Sequence, residues 1–271
     1  MKSWMMLAMG LLMASSVLAQ GRQTKGGAKG AEEETLLVAI KEISTLAGDG
    51  DYAVEAPTAD EKFKKKIQHS DSYKKENGKG WHYFEVAYKV ATQDPISKKP
   101  ILALPEVEIT YALLYDLKTS KWATAVAGRA KKTNGAIGWE VPKQVYSLLV
   151  EKLTYTTITP GRMHYAAVCV PPSMAVVYGD PIAFSVQISV DGRQQGEIVT
   201  QLAPGASVDG KKLEDLVREK GPDGKPKFTA WWERIQNLTD SVVERKGILR
   251  DRSQTPFVMA GDMYYDQIKI K

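Results

Sequence analysis

From Trp81 onward the chain alternates apolar and polar residues with the period of two that gives a strand one buried face. Phe84, Val86, Tyr88 and Val90 fall on one side of the first run, and Tyr83, Glu85, Ala87 and Lys89 on the other. Val107, Ile109, Tyr111, Leu113 and Tyr115 repeat the period, opposed by Glu108, Thr110 and Asp116, with Pro105 at the start of the run where proline is tolerated. The polar stretch 116–121 reads as a turn into Trp122–Ala127, which predicts a hairpin. Leu153–Ile158, the turn Pro160-Gly161-Arg162 and Met163–Val170 predict a second hairpin. Ile182, Phe184, Val186, Ile188 and Val190 form the cleanest alternation, and Asp191-Gly192 is a turn signal into Glu197–Leu202. Met263–Ile270 fits a closing strand.

Helical spacing interrupts this pattern twice. Leu213, Leu216 and Val217 predict a helix over Lys211–Lys220, stopped by Gly221-Pro222. Trp231, Ile235 and Leu238 share a face of a helix over Thr229–Leu238, with Trp232 beside them and Thr229 placed as N-cap. Many short strands, glycine and proline turns and few helices predict a mainly β protein: an antiparallel immunoglobulin-like β-sandwich with a few peripheral helices, over 81–271. The Cys-Trp-Cys arrangement of antibody domains is missing, so this fold class rests on patterning alone. Before the sandwich, Thr35–Ile43 is compatible with an edge strand or a short helix, and 60–80 with helix or loop. Residues 35–80 are therefore expected to form a helical or loop extension.

The N-terminus changes the compartment. Lys2, the apolar run Met5–Met13, and small residues Val17 and Ala19 at the positions a peptidase reads predict a signal peptide over 1–19. The stretch Met5–Leu18 falls short of the roughly 20 apolar residues that span a bilayer, so no stable membrane span is expected after cleavage. No cysteine follows the cleavage site to take a lipid. Residues 20–34 contain four glycines and no large apolar residue, and are expected to be a flexible leader. The expected location is exported: periplasm, outer membrane surface or secreted. Cys169 is the only cysteine in the chain, so the exported domain must hold by packing without an internal disulfide. Between Val168 and Val170, that thiol reads as a small buried hydrophobe.

Composition adds a net charge of +5, concentrated in Lys62–Lys66, in Lys74, Lys75 and Lys79, and in Arg129, Lys131 and Lys132. Such clusters attract polyanions, although lysine-rich loops also serve simply to keep a protein soluble. The lysine clusters show no evident series of aromatic residues placed to stack successive bases, so nucleic acid is not an expected partner. The chain carries no nucleophile elbow, zinc helix motif, paired C-x-x-C or phosphate loop. His69, His82 and His164 lie far apart, and neither strand histidine has a ligating neighbour two residues away. Hence no catalytic residues, metal or cofactors are expected. Trp139, in the glycine-flanked loop Gly138-Trp139-Glu140, is the candidate exposed aromatic. With Lys131 and Lys132 it forms a candidate ligand-binding set for acidic glycans. The remaining aromatics are expected in the core.

The runs VEITYALLY at 107–115, TTITPGRMHYAAVCVP at 156–171 and IAFSVQISVDG at 182–192 resemble the exported pilus-like immunoglobulin-fold proteins of Akkermansia and related Verrucomicrobia. The resemblance covers the strand region from Trp81 to Leu202. It implies an immunoglobulin-like sandwich, a surface or secreted location, and a non-enzymatic part in pilus formation or host interaction. The implied partners are pilus or cell-surface proteins, including other copies of the chain. No catalytic residues come with it. Type IV prepilins carry a short leader followed by a long apolar helix, and that helix is missing here, so assembly by strand addition to an open sheet edge is the expected alternative. A carbohydrate-binding module is the competing expectation from the loop tryptophan and basic clusters.

Overall fold

The computed structural model describes residues 36–46, 52–54, 80–120, 123, 146–220, 226–239, 241–255 and 267–268. The strands in chain order are β1 (Val38–Ile43), β2 (Ala53–Val54), β3 (Trp81–Val90), β4 (Leu104–Asp116), β5 (Tyr146–Ile158), β6 (Met163–Val170), β7 (Asp180–Val190) and β8 (Arg193–Gln194). They continue with β9 (Val199–Leu202), β10 (Ser207–Val208), β11 (Lys211–Lys212), β12 (Arg218–Lys220), β13 (Pro226–Phe228), β14 (Val242–Arg245), β15 (Arg250–Asp251) and β16 (Gln267–Ile268). One sheet has the order β1-β3-β6-β15, with β2 also on β3; the other has β14-β5-β4-β7-β8, with β16 on β5 and β9 on β7.

The two sheets pack face to face as a β-sandwich. Phe84, Val86, Tyr88 and Val90 of β3 meet Val107, Ile109, Tyr111, Leu113 and Tyr115 of β4, and Phe184, Val186 and Ile188 of β7. These are the residues that the two-residue period placed on buried faces. The rings of Phe84 and Phe184 approach to 5.0 Å between centroids across the layers. Each such fully buried ring contributes about 1.5–3 kcal/mol over leaving it exposed.

The larger sheet also buries part of its other face. Ala112, Leu114, Leu148, Ala183 and Val242 pack beneath Leu213, Val217, Trp231, Trp232 and Ile235 of the C-terminal segment. That second core explains why residues 111–115 of β4 are buried without a break, where a one-sided strand would alternate. Farther along the same face, Glu108 and Lys152 pair at 2.7 Å, both partly exposed. The covering layer is pinned by a buried polar chain: the Trp231 indole N–H donates to Ser185 Oγ at 2.8 Å, and Ser185 Oγ lies 2.8 Å from Thr200 Oγ1.

Several expectations change. Of the two options for 35–43, the strand forms: β1 pairs antiparallel with β3, from Val38 opposite Val90 to Ile43 opposite Val86. The sandwich therefore begins before Trp81, and an extension without strand does not describe Val38–Ile43. Both edges of β4 are occupied, by β5 and by β7, so the hairpin expected between β4 and 122–127 has no edge to use. Apart from Ala123, that second arm lies outside the described residues. The hairpin expected between β5 and β6 is also absent. β6 pairs with β3 in the opposite sheet, and the Thr159–Arg162 corner carries the chain between layers. Positive φ at Thr157 and Gly161 makes that corner, and His164 Nε2 fastens it to the Thr159 carbonyl at 2.6 Å.

The third predicted turn forms as expected. Asp191-Gly192, both at positive φ, returns β7 onto β8 and then β9. One ladder is parallel, β14 on β5, so the larger sheet is mixed. The helix expected over 211–220 is helical only over Leu213–Val217, flanked by β11 and β12. Residues 231–233 form a 3-10 turn and Ile235–Leu238 one α-helical turn. Thr229 is not a cap: its hydroxyl reaches back to the Val217 carbonyl and receives a bond from Arg234.

Candidate interaction surface

The fold gathers titratable side chains in two buried groups. In the first, His82 Nδ1 lies 2.9 Å from the Tyr115 hydroxyl, with the rings stacked at 5.6 Å. The Tyr52 ring stands edge-on to His82. Burial raises the Tyr115 hydroxyl well above the ordinary phenol value. Tyr52 is raised by burial first, then by the charge of Asp180 and a hydrogen bond to it. In the second group, the Tyr155 hydroxyl donates to Asp251 Oδ2 at 3.1 Å and lies 3.1 Å from the Tyr111 hydroxyl. Asp251 Oδ1 accepts from the Ser253 amide at 2.7 Å. Cys169 lies on the strand beside Asp251, fully buried, and burial pushes its thiol up to about 12. A thiol or phenol held protonated in this way is a hydrogen-bond donor and not a nucleophile at neutral pH. These groups join the two sheets: Tyr115 and Tyr155 belong to one, His82, Cys169 and Asp251 to the other. No cluster of three or more His, Cys, Asp or Glu with metal-binding geometry occurs among the described residues.

The surface offers something different between β3 and β4. Residues 91–103 fold back as a short finger. Gln93 bridges Pro100, the Asp94 amide donates to the Lys99 carbonyl at 2.9 Å, and the Lys98 amide donates to the Asp94 carbonyl at 2.9 Å. At the root, the Ile101 amide donates to Thr92. Inside the turn, Asp94 Oδ1 accepts from the amides of Ile96 and Ser97. The Ser97 backbone and hydroxyl contacts, with smaller help from the Ile96 amide and Lys98, hold the Asp94 carboxyl below its usual range. Lys98 adopts positive φ to close the turn. On this ordered mount Ile96 is 89% and Leu102 90% exposed, the exposed large hydrophobics among the described residues. Lys98 and Lys99 stand between them, also exposed.

Trp139, Lys131 and Lys132, the expected ligand-binding set, lie outside the described residues. Trp231 and Trp232 are core, as expected of most aromatics. The finger escaped sequence reading because Ile96 and Leu102 fit no period. The usable signal was an isolated isoleucine between Pro95 and Pro100, in a stretch otherwise made of turn residues and lysines.

No protein-family model matches the chain, and no curated protein matches it. Among solved structures, the chain is similar to a crystal structure from Akkermansia muciniphila, with a TM-score of 0.50 and 15% sequence identity. The match covers 87% of this chain and 94% of that one. At that identity the likeness is one of fold. The fold is mainly β, built of predominantly antiparallel sheets packed as a sandwich with short helices beside them. No helix among the described residues is long and apolar enough to cross a membrane.

Proposed function

We propose that the chain is a non-enzymatic, exported cell-surface protein that acts through interactions, associated with pilus formation or host contact. The observation that carries this reading is the β3–β4 finger. Its backbone is tied down by internal hydrogen bonds while Ile96 and Leu102 face solvent. Exposed apolar residues on a preordered mount suit a docking element, because little ordering entropy opposes binding. The buried titratable groups support the same reading, since their polar atoms face one another between the sheets. Further support comes from the strands that resemble the pilus-like family, which form β4, the crossing from β5 to β6, and β7 with its turn. The fold shared with an Akkermansia muciniphila protein agrees with it.

Fractionation of the producing cells, with immunodetection in periplasm, outer membrane, sheared surface filaments and medium, tests the proposal. Recovery with the outer membrane or sheared filaments is expected. A purely periplasmic protein would contradict it.

A further inference from the structure

We infer that the finger end of the sandwich docks peripherally on an anionic lipid surface, with Ile96 and Leu102 entering the interface and a ring of cations resting on the headgroups. The register of the sheets puts the relevant groups at one pole. Leu104 pairs with Ile158, so the start of β4 and the end of β5 lie together, opposite the end where Asp116 pairs with Tyr146. β3 reaches the same pole, with Lys89 opposite Met163 at the start of β6. The finger is rooted there: the Gly161 amide donates to the Val90 carbonyl at 3.1 Å. The β7–β8 turn reaches this end as well, because Ser189 pairs with Glu108 near the start of β4.

Cations outnumber carboxylates at this pole. Lys89, Lys98, Lys99, Arg162 and Arg193 are all exposed. Against them stand Asp94, Asp191 and, farther in on β4, Glu106. The Asp94 carboxylate is occupied by the turn's own amides. Aliphatic side chains at the turn and root of the finger, flanked by lysine and arginine, suit the boundary between headgroups and acyl chains, where apolar burial and attraction to anionic lipid act together. An apolar pocket on a protein would take the aliphatic side chains equally well, but would leave the spread of cations from Lys89 to Arg193 unmatched, whereas an extended anionic surface offers charge beyond the finger itself.

A second observation selects the same pole. Val38 pairs with Val90, so the N-terminal segment, read from sequence as signal peptide and leader, joins the fold beside the finger. On that reading of the N-terminus, export tethers the chain to the membrane ahead of Val38, on the finger side of the sandwich. The inference goes beyond the surface reading and rests on it only for the export of the chain; vesicle binding and recovery with filaments can each fail without the other.

The test is co-sedimentation of the purified mature chain with vesicles of phosphatidylglycerol and phosphatidylcholine, and with vesicles of phosphatidylcholine alone. Binding to the anionic vesicles is expected, weakening as salt rises, with little binding to the neutral ones. The double variant Ile96→Ser with Leu102→Ser should bind tenfold or more weakly. Both positions are about nine-tenths exposed, so an unchanged circular dichroism melt should confirm that folding is intact. The double variant Lys98→Gln with Lys99→Gln should bind more weakly and with a shallower salt dependence. Absence of binding by the wild-type chain would overturn the inference. So would full binding by the Ile96→Ser, Leu102→Ser variant, which would mean that a polyanion is held by charge alone.

Discussion

Gly179 shows how far a single position can be dictated by its surroundings. It ends the helix Pro172–Tyr178 at φ 80° and ψ −144°, a region open essentially to glycine. A Cβ there would collide with the Thr119 hydroxyl and the Asp116 carbonyl. The same Thr119 hydroxyl accepts from the Asp180 amide at 2.7 Å, so the turn leading into β7 and the segment leaving β4 are locked together. Gly179→Ala should therefore destabilise the protein by about 2 kcal/mol or more, from backbone strain plus lost packing. Equilibrium denaturation in urea measures this; an unchanged midpoint would mean that the two segments separate easily. At this scale the sequence reading of Cys169 was sufficient. Flanking valines in an alternating strand placed the thiol in the core, where it is fully buried. The role of Ser185 was not legible, because its partners Trp231 and Thr200 come from distant segments and nothing local marks them.

Among the elements, faces were readable and partners were not. Alternation assigns each side chain of β3, β4 and β7 to a face because the period of two is a local property of extended backbone. It carries no information on which strand lies alongside. Thus the short links after β4 and β5 read as hairpins, while the chain crosses to the other sheet between β5 and β6 and leaves β4 flanked by β5 and β7. The helical segments were legible as apolar faces but not in extent. Leu213, Val217, Trp231 and Ile235 are buried as their spacing implied, yet tertiary packing over the sheet shortens the helices to about a turn each. The finger is an element whose stability depends on pH. Asp94 is depressed below its usual value of 3.8 by hydrogen bonds formed only in the folded turn. A depressed carboxyl contributes stability that is present above the unfolded value and is lost as pH falls through the folded one. The Ile96 and Ser97 amide resonances should therefore shift on acidification with a midpoint below 3.8. A midpoint at or above that value would show that the turn does not use the carboxylate.

Taken as a whole, the molecule is a sandwich whose larger sheet is partly covered on its second face, with the His82–Tyr115 and Tyr155–Asp251 pairs joining the layers and, among the described residues, its exposed large apolar groups Ile96 and Leu102 on one connection. That division follows from elementary costs: buried hydroxyls and carboxyls need partners, whereas an exposed isoleucine at the tip of an ordered turn has no role in folding. The fold class was legible from the sequence, since many short alternating runs separated by turns leave few other architectures. The candidate surface was not legible, because it depends on register. Only the pairing of β3, β4 and β6 brings Lys89, the finger and Arg162 to one end. Immunogold labelling of intact producing cells tests the central claim of an exported surface protein most directly. Label on the outer surface or along filaments of unpermeabilised cells is the predicted result. Label that appears only after permeabilisation would contradict it.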